Sequence, residues 1–499
     1  MKDIIAAVNA VVWGAPALIL IISVGLLLSW RLEFAQIFFF PEALRRFCGQ
    51  FRRKKEGDSN SSFRALCTAL SATVGTGNLV GVAGAICLGG PGAVFWMWVC
   101  GVLGMITKYA EALLAVRYHV KTPEGKTGGP MYIIRQGLPG QLHFLAYLYA
   151  LFGVVASFGV GNLTQIHAAV TGISEAFAVF GLPTGRFTTL LLSLLLAAVI
   201  GMLLFGGAKR IGSAAEQLIP FGAAAYILLC FGILCLKGSK IPEAFRQIVL
   251  GAFTPGAVTG GMIGSGFQAL RIGCSRGVFT NEAGMGTASI AHAGAEGVHP
   301  VQQGLMGIME VFLDTIVICT LTALVILVSG IPIPYGTDAG GRLTTLAFSA
   351  VYGKGAVVLL AGVMTLFAVA TVLGWGLYGA RCAQFLFGSK AWRCFSVLQI
   401  AVIVAGSMLE TPTVWQLAET VNGLMAIPNL ITLAVLTPEV VRLTNAYKKT
   451  GREAAGGGNY ADFHQCKPLR AFSHEKVPSS GRCCQERGQK NLPSEYRPA

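Results

Sequence analysis

Charge is what this chain has least of. Only 12 % of its 499 residues are Asp, Glu, Lys or Arg, against about 25 % in a soluble domain. With 54 % hydrophobic residues and a mean hydropathy of +0.64, the scarcity excludes a soluble globular domain and reads as a polytopic membrane protein. Metal signatures are missing as well. The thirteen cysteines are scattered, with no CxxC and no Cys/His spacing of a metal site, so they read as free thiols. HExxH is absent, which leaves an intramembrane enzyme without its zinc motif. The N-terminus lacks a basic n-region, because Lys2 is followed at once by Asp3, so the apolar run at 11–30 reads as a retained span. The net charge of +15 sits largely in 31–64 and beyond residue 440, beside apolar runs. That distribution argues against nucleic acid and for loops facing an anionic leaflet of membrane lipid.

What is present is a series of eleven apolar stretches of spanning length: 11–30, 63–88, 93–117, 143–180, 187–206, 213–236, 255–290, 300–329, 356–388, 394–409 and 413–436. The expectation is therefore an all-α, multi-pass fold. The loop 119–142, with TGGPMYI, reads as a short re-entrant or interfacial piece, and 241–250 as amphipathic. Lys- and Arg-rich connections alternate with poor ones. The rich side is expected to be cytoplasmic, with the N-terminus outside, the linker 31–62 inside and a polar, disordered cytoplasmic tail at 451–499.

Two stretches interrupt this pattern with glycine. Residues 71–92 read SATVGTGNLVGVAGAICLGGPG, where Gly75 and Gly77 bracket Thr76 and precede Asn78. Each glycine weakens a helix by roughly 1 kcal/mol relative to alanine, and broken backbone survives inside a bilayer only when buried in protein or lining a wet cavity. A break here exposes N–H groups that suit a carboxylate and carbonyls that suit a small cation. Gly260, Gly261, Gly264 and Gly266 place a second break in GGMIGSGFQALRIG. With the first span set aside, the broken spans head two halves, 63–236 and 255–436. Five spans per half inverts one half against the other. Interrupted segments at matching positions of inverted halves point to a secondary-transporter site.

The candidate residues follow. Thr76 and Gly77 offer N–H groups to a substrate carboxylate; the Val74 carbonyl and the Asn78 amide oxygen are candidates for a sodium ion, with helix capping the plainer role for Asn78. Asn162 and Gln165 share one helix face, for substrate contact or for interhelical hydrogen bonding. Ser265, Gly266 and Phe267 are candidates for ammonium carbonyls and an aromatic lid, with Gln268 a weaker one. Thr371 and Trp375, at i and i+4, are candidates for a cation ligand and a pocket wall; the aromatic groups are equally well explained as packing. Among the intramembrane charges, Lys108 and Glu111 are expected to pair, and Glu310 and Asp314 to relay protons or mark a cytoplasmic vestibule. Arg271, Arg276 and Glu282 are expected near cytoplasmic gate salt bridges. His167 and His292 read as satisfied core residues.

These segments resemble the alanine or glycine:cation symporter family over most of 60–440. The resemblance rests on GTGNLVGVAGAICLGGPGAVFWMW, GGPMYI, GNLTQ, KRIGSAAEQLIPF, RGVFTNEAGMGTASIAHA, HPVQQGL, LGWGLYG and NGLMAIPNLI. It implies the five-plus-five inverted-repeat fold of the leucine-transporter type with one extra N-terminal span. It also implies import of alanine, glycine or a similar small neutral amino acid with sodium, sometimes a proton, across a bacterial inner membrane, and no enzymatic cofactor. The family's motifs fall on Thr76, Gly77, Asn78, Gln165, Thr371 and Trp375. Ala370 stands where the family usually has a hydroxyl, which removes one candidate cation ligand, and Ile272, Gly376, Leu377 and Ala380 replace usual polar groups. The alternatives are another substrate, such as glutamine or a D-amino acid, proton coupling, or a channel or sensor without coupling.

Overall fold

The computed structural model describes residues 15–52, 61–122, 125–337, 340–408 and 412–454. The structure is predominantly helical. Helix α1 (Ala15–Arg31) leads through short α2 (Ala35–Phe38) and amphipathic α3 (Phe40–Arg52) to α4 (Ser61–Thr73) and α5 (Val82–Gly89). Next come α6 (Ala93–Arg117), a two-stranded hairpin of β1 (Val120–Thr122) and β2 (Gly125–Thr127), and α7 (Pro130–Gly137). The first half ends with α8 (Phe144–Phe158), α9 (Thr164–Val179), α10 (Arg186–Leu204) and α11 (Gly207–Leu236). The second half contains α12 (Ile241–Phe253), α13 (Pro255–Thr259), α14 (Gly266–Asn281), α15 (Thr287–His292), α16 (Pro300–Val311) and α17 (Thr320–Ser329). It closes with α18 (Gly340–Tyr352), α19 (Gly355–Phe387), α20 (Ala391–Met408) and α21 (Pro412–Ala454). Among the described residues, seven helical segments are long and apolar enough to cross a membrane, or eight with the bent α4–α5 pair counted as one. Pro16–Arg31 and Ala391–Ser407 are apolar but shorter.

The first break lies where the glycines predict. The chain bends by 49° between α4 and the segment Gly77–Gly89. The Gly75 N–H leaves the helical ladder and donates to Asn78 Oδ1 at 2.9 Å, so a side chain supplies the acceptor that the helix has lost.

The second break lies elsewhere. The glycines at 260–265 form an exposed loop between α13 and α14, with Gly260 and Gly261 at φ 62° and 86°. Helix α14 then runs unbroken through Arg271 and Arg276, and the helix fails inside the protein at 282–286. There Glu282, Gly284 and Gly286 adopt φ of 53°, 90° and 79°, values that glycine tolerates and other residues seldom adopt. Glycine density marks where backbone is free to turn. A break in the buried interior also needs partners for the released N–H groups, and here Glu111 Oε1 accepts from Gly284 and Gly286, both at 3.0 Å.

The two broken spans run antiparallel. Gln268, near the start of α14, donates to the Leu88 carbonyl near the end of α5, and α15 packs on α4. Ser61, at the start of α4, exchanges hydrogen bonds with the Glu296 backbone just after α15. Around this pair, α14 and α16 lie along α6, and α8 and α9 lie along α19. The tail beyond 454 lies outside the described residues.

Close backbone approach fixes the turn between α5 and α6 against α12. A Cβ at Gly92 would overlap the backbone of Gly251 and Ala252, whereas one at Gly362 would meet open space. Gly92→Ala should therefore lower thermal stability by about 1–3 kcal/mol of overpacking. Gly362→Ala should leave it unchanged or slightly raised; equal melting of the two variants in detergent would contradict this packing.

Candidate functional site

At the first break a cavity of about 300 Å³ opens beside Thr76 and Gly77. Its floor is polar. Gln165 Oε1 accepts from the Thr76 hydroxyl at 2.7 Å and the Thr76 N–H at 3.4 Å, and Gln165 Nε2 donates to the Val160 carbonyl and Thr164 Oγ1. The walls carry Val80, Ala168, Phe279 and Met364, and the mouth carries Glu175, Arg276 and Arg342. Helix α18 forms part of this mouth, packing on both the Gly77–Gly81 turn and α5.

Gln165 reaches the break because the backbone before it is irregular. Gly159–Leu163 forms a π-helical turn between α8 and α9, a feature frequent at functional sites. The same turn sends Asn162 the other way, where its Nδ2 donates to the Gln399 carbonyl on α20. The two amides therefore do not act as a pair.

A second polar spot lies beneath the cavity floor. Thr371 Oγ1 is buried and has no hydrogen-bond partner. A Cβ built on Gly75 would stand 2.5 Å from this oxygen and 3.4 Å from Gln165 Oε1, so glycine leaves open the space between them. Val74, at the end of α4, is buried beside it. A hydroxyl, an amide oxygen and the free carbonyls of a helix end are oxygen ligands of the kind a small hard cation takes.

Asn78 does structural work here. Besides capping Gly75, its Nδ2 donates to Asp314 Oδ1 at 2.6 Å. Asp314 lies in the π-helical segment Phe312–Cys319. Its Oδ2 accepts from Thr315 Oγ1, which accepts from Asn281 Nδ2, and Asn281 Oδ1 accepts from the Ala283 N–H. One continuous hydrogen-bonded chain thus ties the first break to the second.

Several expectations change. Gly266 and Phe267 open α14 at a distance from the cavity, and Phe267 is 66 % exposed. The aromatic near Gly77 is Phe279, whose ring edge lies 3.9 Å from where a Gly77 Cβ would be. Trp375 packs against the Gly161 backbone and donates to Glu282 Oε1 at 2.9 Å; it braces the second break and does not line the cavity. Lys108 pairs with Glu310 at 2.9 Å, not with Glu111. Glu310 and Asp314 serve different networks, since Glu310 also meets His292, which bonds Gln303. Glu282 bonds Thr287 and Trp375, while Arg276 lies at the cavity mouth. His292 is a satisfied core residue, and His167 lines the cavity. Sequence reasoning missed Phe279. Its one visible signal was an aromatic residue two positions before the NEAGMG turn.

The family model described as sodium:alanine symporter family matches residues 1–458. The chain belongs to the sodium:alanine symporter family. It is 42 % identical over 459 residues to the sodium/alanine symporter AgcS of Methanococcus maripaludis, covering 91 % of this chain and 98 % of that protein. It is 36 % identical over 461 residues to the probable sodium/glutamine symporter GlnT of Bacillus subtilis, covering 91 % and 92 %. Among solved structures it is similar to MhsT in complex with L-phenylalanine, with a TM-score of 0.54 at 13 % identity, over 79 % of this chain and 99 % of that one. That likeness shows a leucine-transporter-type fold. Members of the sodium:alanine symporter family are transporters rather than enzymes, and this one is a multi-pass membrane protein.

Removing the Asn78 amide leaves the Gly75 N–H and the Asp314 carboxyl each short of a partner. Asn78→Ala should cost about 1–3 kcal/mol for each buried group left unpaired. Thermal unfolding of the membrane-inserted protein would read this; an unchanged melting temperature would remove Asn78 from the link between the breaks.

Proposed function

We propose that this protein imports a small neutral amino acid, alanine or glycine, by sodium-coupled alternating access across a bacterial inner membrane. The observation that carries the reading is the Thr76–Gln165 contact at the cavity floor. Gln165 Oε1 occupies the position of a carboxylate oxygen, taking the Thr76 N–H and hydroxyl. A substrate carboxylate displaces it, held by Thr76, Gly77 and the Gln165 amide, while Val80, Ala168, Phe279 and Met364 bound the side chain. A hydrophobic wall rejects one extra methylene by about 1–3 kcal/mol, so neighbouring amino acids, glutamine among them, compete to a graded extent. Gly266, Phe267 and Trp375 have no direct substrate role in this reading.

Sodium binds between Thr371 Oγ1, the carbonyls at the end of α4 around Val74, and the Asn78 side of the break. It neutralises the helix C-terminus and rigidifies the floor to which the carboxylate binds, and coupling is this difference in affinity between states. The architecture in this reading has eleven spans: α1 as an extra N-terminal helix, five spans within 63–236 and five inverted within 255–436. The basic linker 31–62 and the tail 451–499 face the cytoplasm and the N-terminus faces outward. The cavity then opens outward.

The test is labelled alanine uptake into proteoliposomes with sodium and proton gradients imposed separately. Sodium-driven accumulation is the expected result. Accumulation on a proton gradient alone would change the ion, and none under either gradient would reject alanine. Ala370 is the specific observation behind the proton alternative, because it withholds a hydroxyl beside Thr371. Ala370→Ser should strengthen apparent sodium affinity in the same assay; an unchanged sodium dependence would show that another group already completes the shell.

A further inference from the structure

The second break is surrounded by acids that substrate and sodium binding leave unused. Glu111 on α6, Glu282 at the break, Glu310 on α16 and Asp314 are all buried, and Lys108 is buried among them. Lys108 and Glu310 form a neutral pair at 2.9 Å, completed by His292 on the other Glu310 oxygen. Asp314 is engaged by Asn78 and Thr315. Neither Glu111 nor Glu282 has a lysine, arginine or histidine at ion-pair distance among the described residues. Besides Asp314, two carboxyls thus remain in a dry interior without an ion-pair partner. Lys108, engaged by Glu310, acts on both only through space, and a buried carboxylate with no direct counter-charge is disfavoured strongly enough to take up a proton.

Hydrogen bonding separates the two. Glu282 uses both oxygens, accepting from Trp375 Nε1 and from Thr287 Oγ1. Glu111 uses one. Its Oε1 accepts three bonds, from the Gly284 and Gly286 N–H groups and from Asn429 Nδ2 at 2.7 Å. Its Oε2 is buried and has no partner at all. The phenol oxygens of Tyr149 on α8 and Tyr378 on α19 are also buried and unpartnered, and both lie within Coulombic reach of Glu111 and Glu282, with Cys382 beside Tyr149. The three donors on Oε1 favour charge on that oxygen, but the bare, buried Oε2 has no donor to hold its share of the charge, and this asymmetry suits a carboxylic acid with Oε1 as the carbonyl oxygen.

We propose that Glu111 is a proton-binding site: in this conformation its Oε2 carries an exchangeable proton, which leaves when the second break rearranges. The proton goes to water that enters the opposite vestibule, and the carboxylate left behind is then stabilised by that water. A proton bound more tightly in this state than in the other favours this state as pH falls. The pH dependence of transport rests on the symporter reading above; the protonation itself does not.

Infrared spectroscopy of the purified protein in lipid tests it without any transport. The wild type should show a protonated-carboxyl C=O component at neutral pH that is lost in Glu111→Gln and kept in both Glu282→Gln and Asp314→Asn. Gln at 111 retains the acceptor for all three donors, so folding is expected to survive. Asn429→Ala, which removes one donor from Oε1, should shift the band to higher frequency. Protonated-carboxyl absorption undiminished in Glu111→Gln, or none at neutral pH in the wild type, overturns the assignment. In proteoliposomes, Glu111→Gln should flatten the pH profile of sodium-driven uptake; a wild-type profile retained in that variant would sever the site from transport while leaving the uptake itself intact.

Discussion

A backbone N–H that leaves its helix inside a membrane protein must find another acceptor, because no bulk water is there to serve. This chain breaks two spans and meets that demand with side chains. At the first break Asn78 takes the Gly75 N–H; at the second Glu111 takes those of Gly284 and Gly286. The rest of the site depends on these replacements. They hold the Thr76 donors at the cavity and bring Gly75 so close to Thr371 that a Cβ would stand 2.5 Å from its Oγ1.

The replacements also join the breaks. Asn78, Asp314, Thr315 and Asn281 form one chain of hydrogen bonds from one broken span to the other. Trp375 adds a second link from α19 to Glu282, one turn from Thr371. The proposed cation site at Thr371 and the second break at 282–286 therefore share elements, which is the physical content that coupling between two sites requires. In a dry interior each such bond is hard to lose singly, since removing one partner strands the other.

The breaks themselves differed in how they could be read. At Gly75–Gly77 the glycines, the polar Asn78 and the membrane setting coincide, so local chemistry is enough. At 260–265 glycine density misleads, because those residues make a largely exposed loop whose N–H groups bond locally to Gly256 and Thr259. The true second break needs Glu111, which is more than 170 positions away. Lys108 and Glu111 looked like partners at helical spacing, yet α16 brings Glu310 nearer to the lysine. Phe267 and Phe279 flank the same helix, and only packing selects which one reaches Gly77.

Composition, span length and the order of glycine-rich motifs by themselves determined the membrane class, the helical fold, the first break and the family, because these follow from local sequence and from the polarity of the medium. Tertiary structure alone decided where the second break falls, which carboxyls are paired and which aromatic walls the cavity. Those outcomes depend on which distant groups meet in a space without water, where a hydrogen bond or a counter-charge outweighs any local preference.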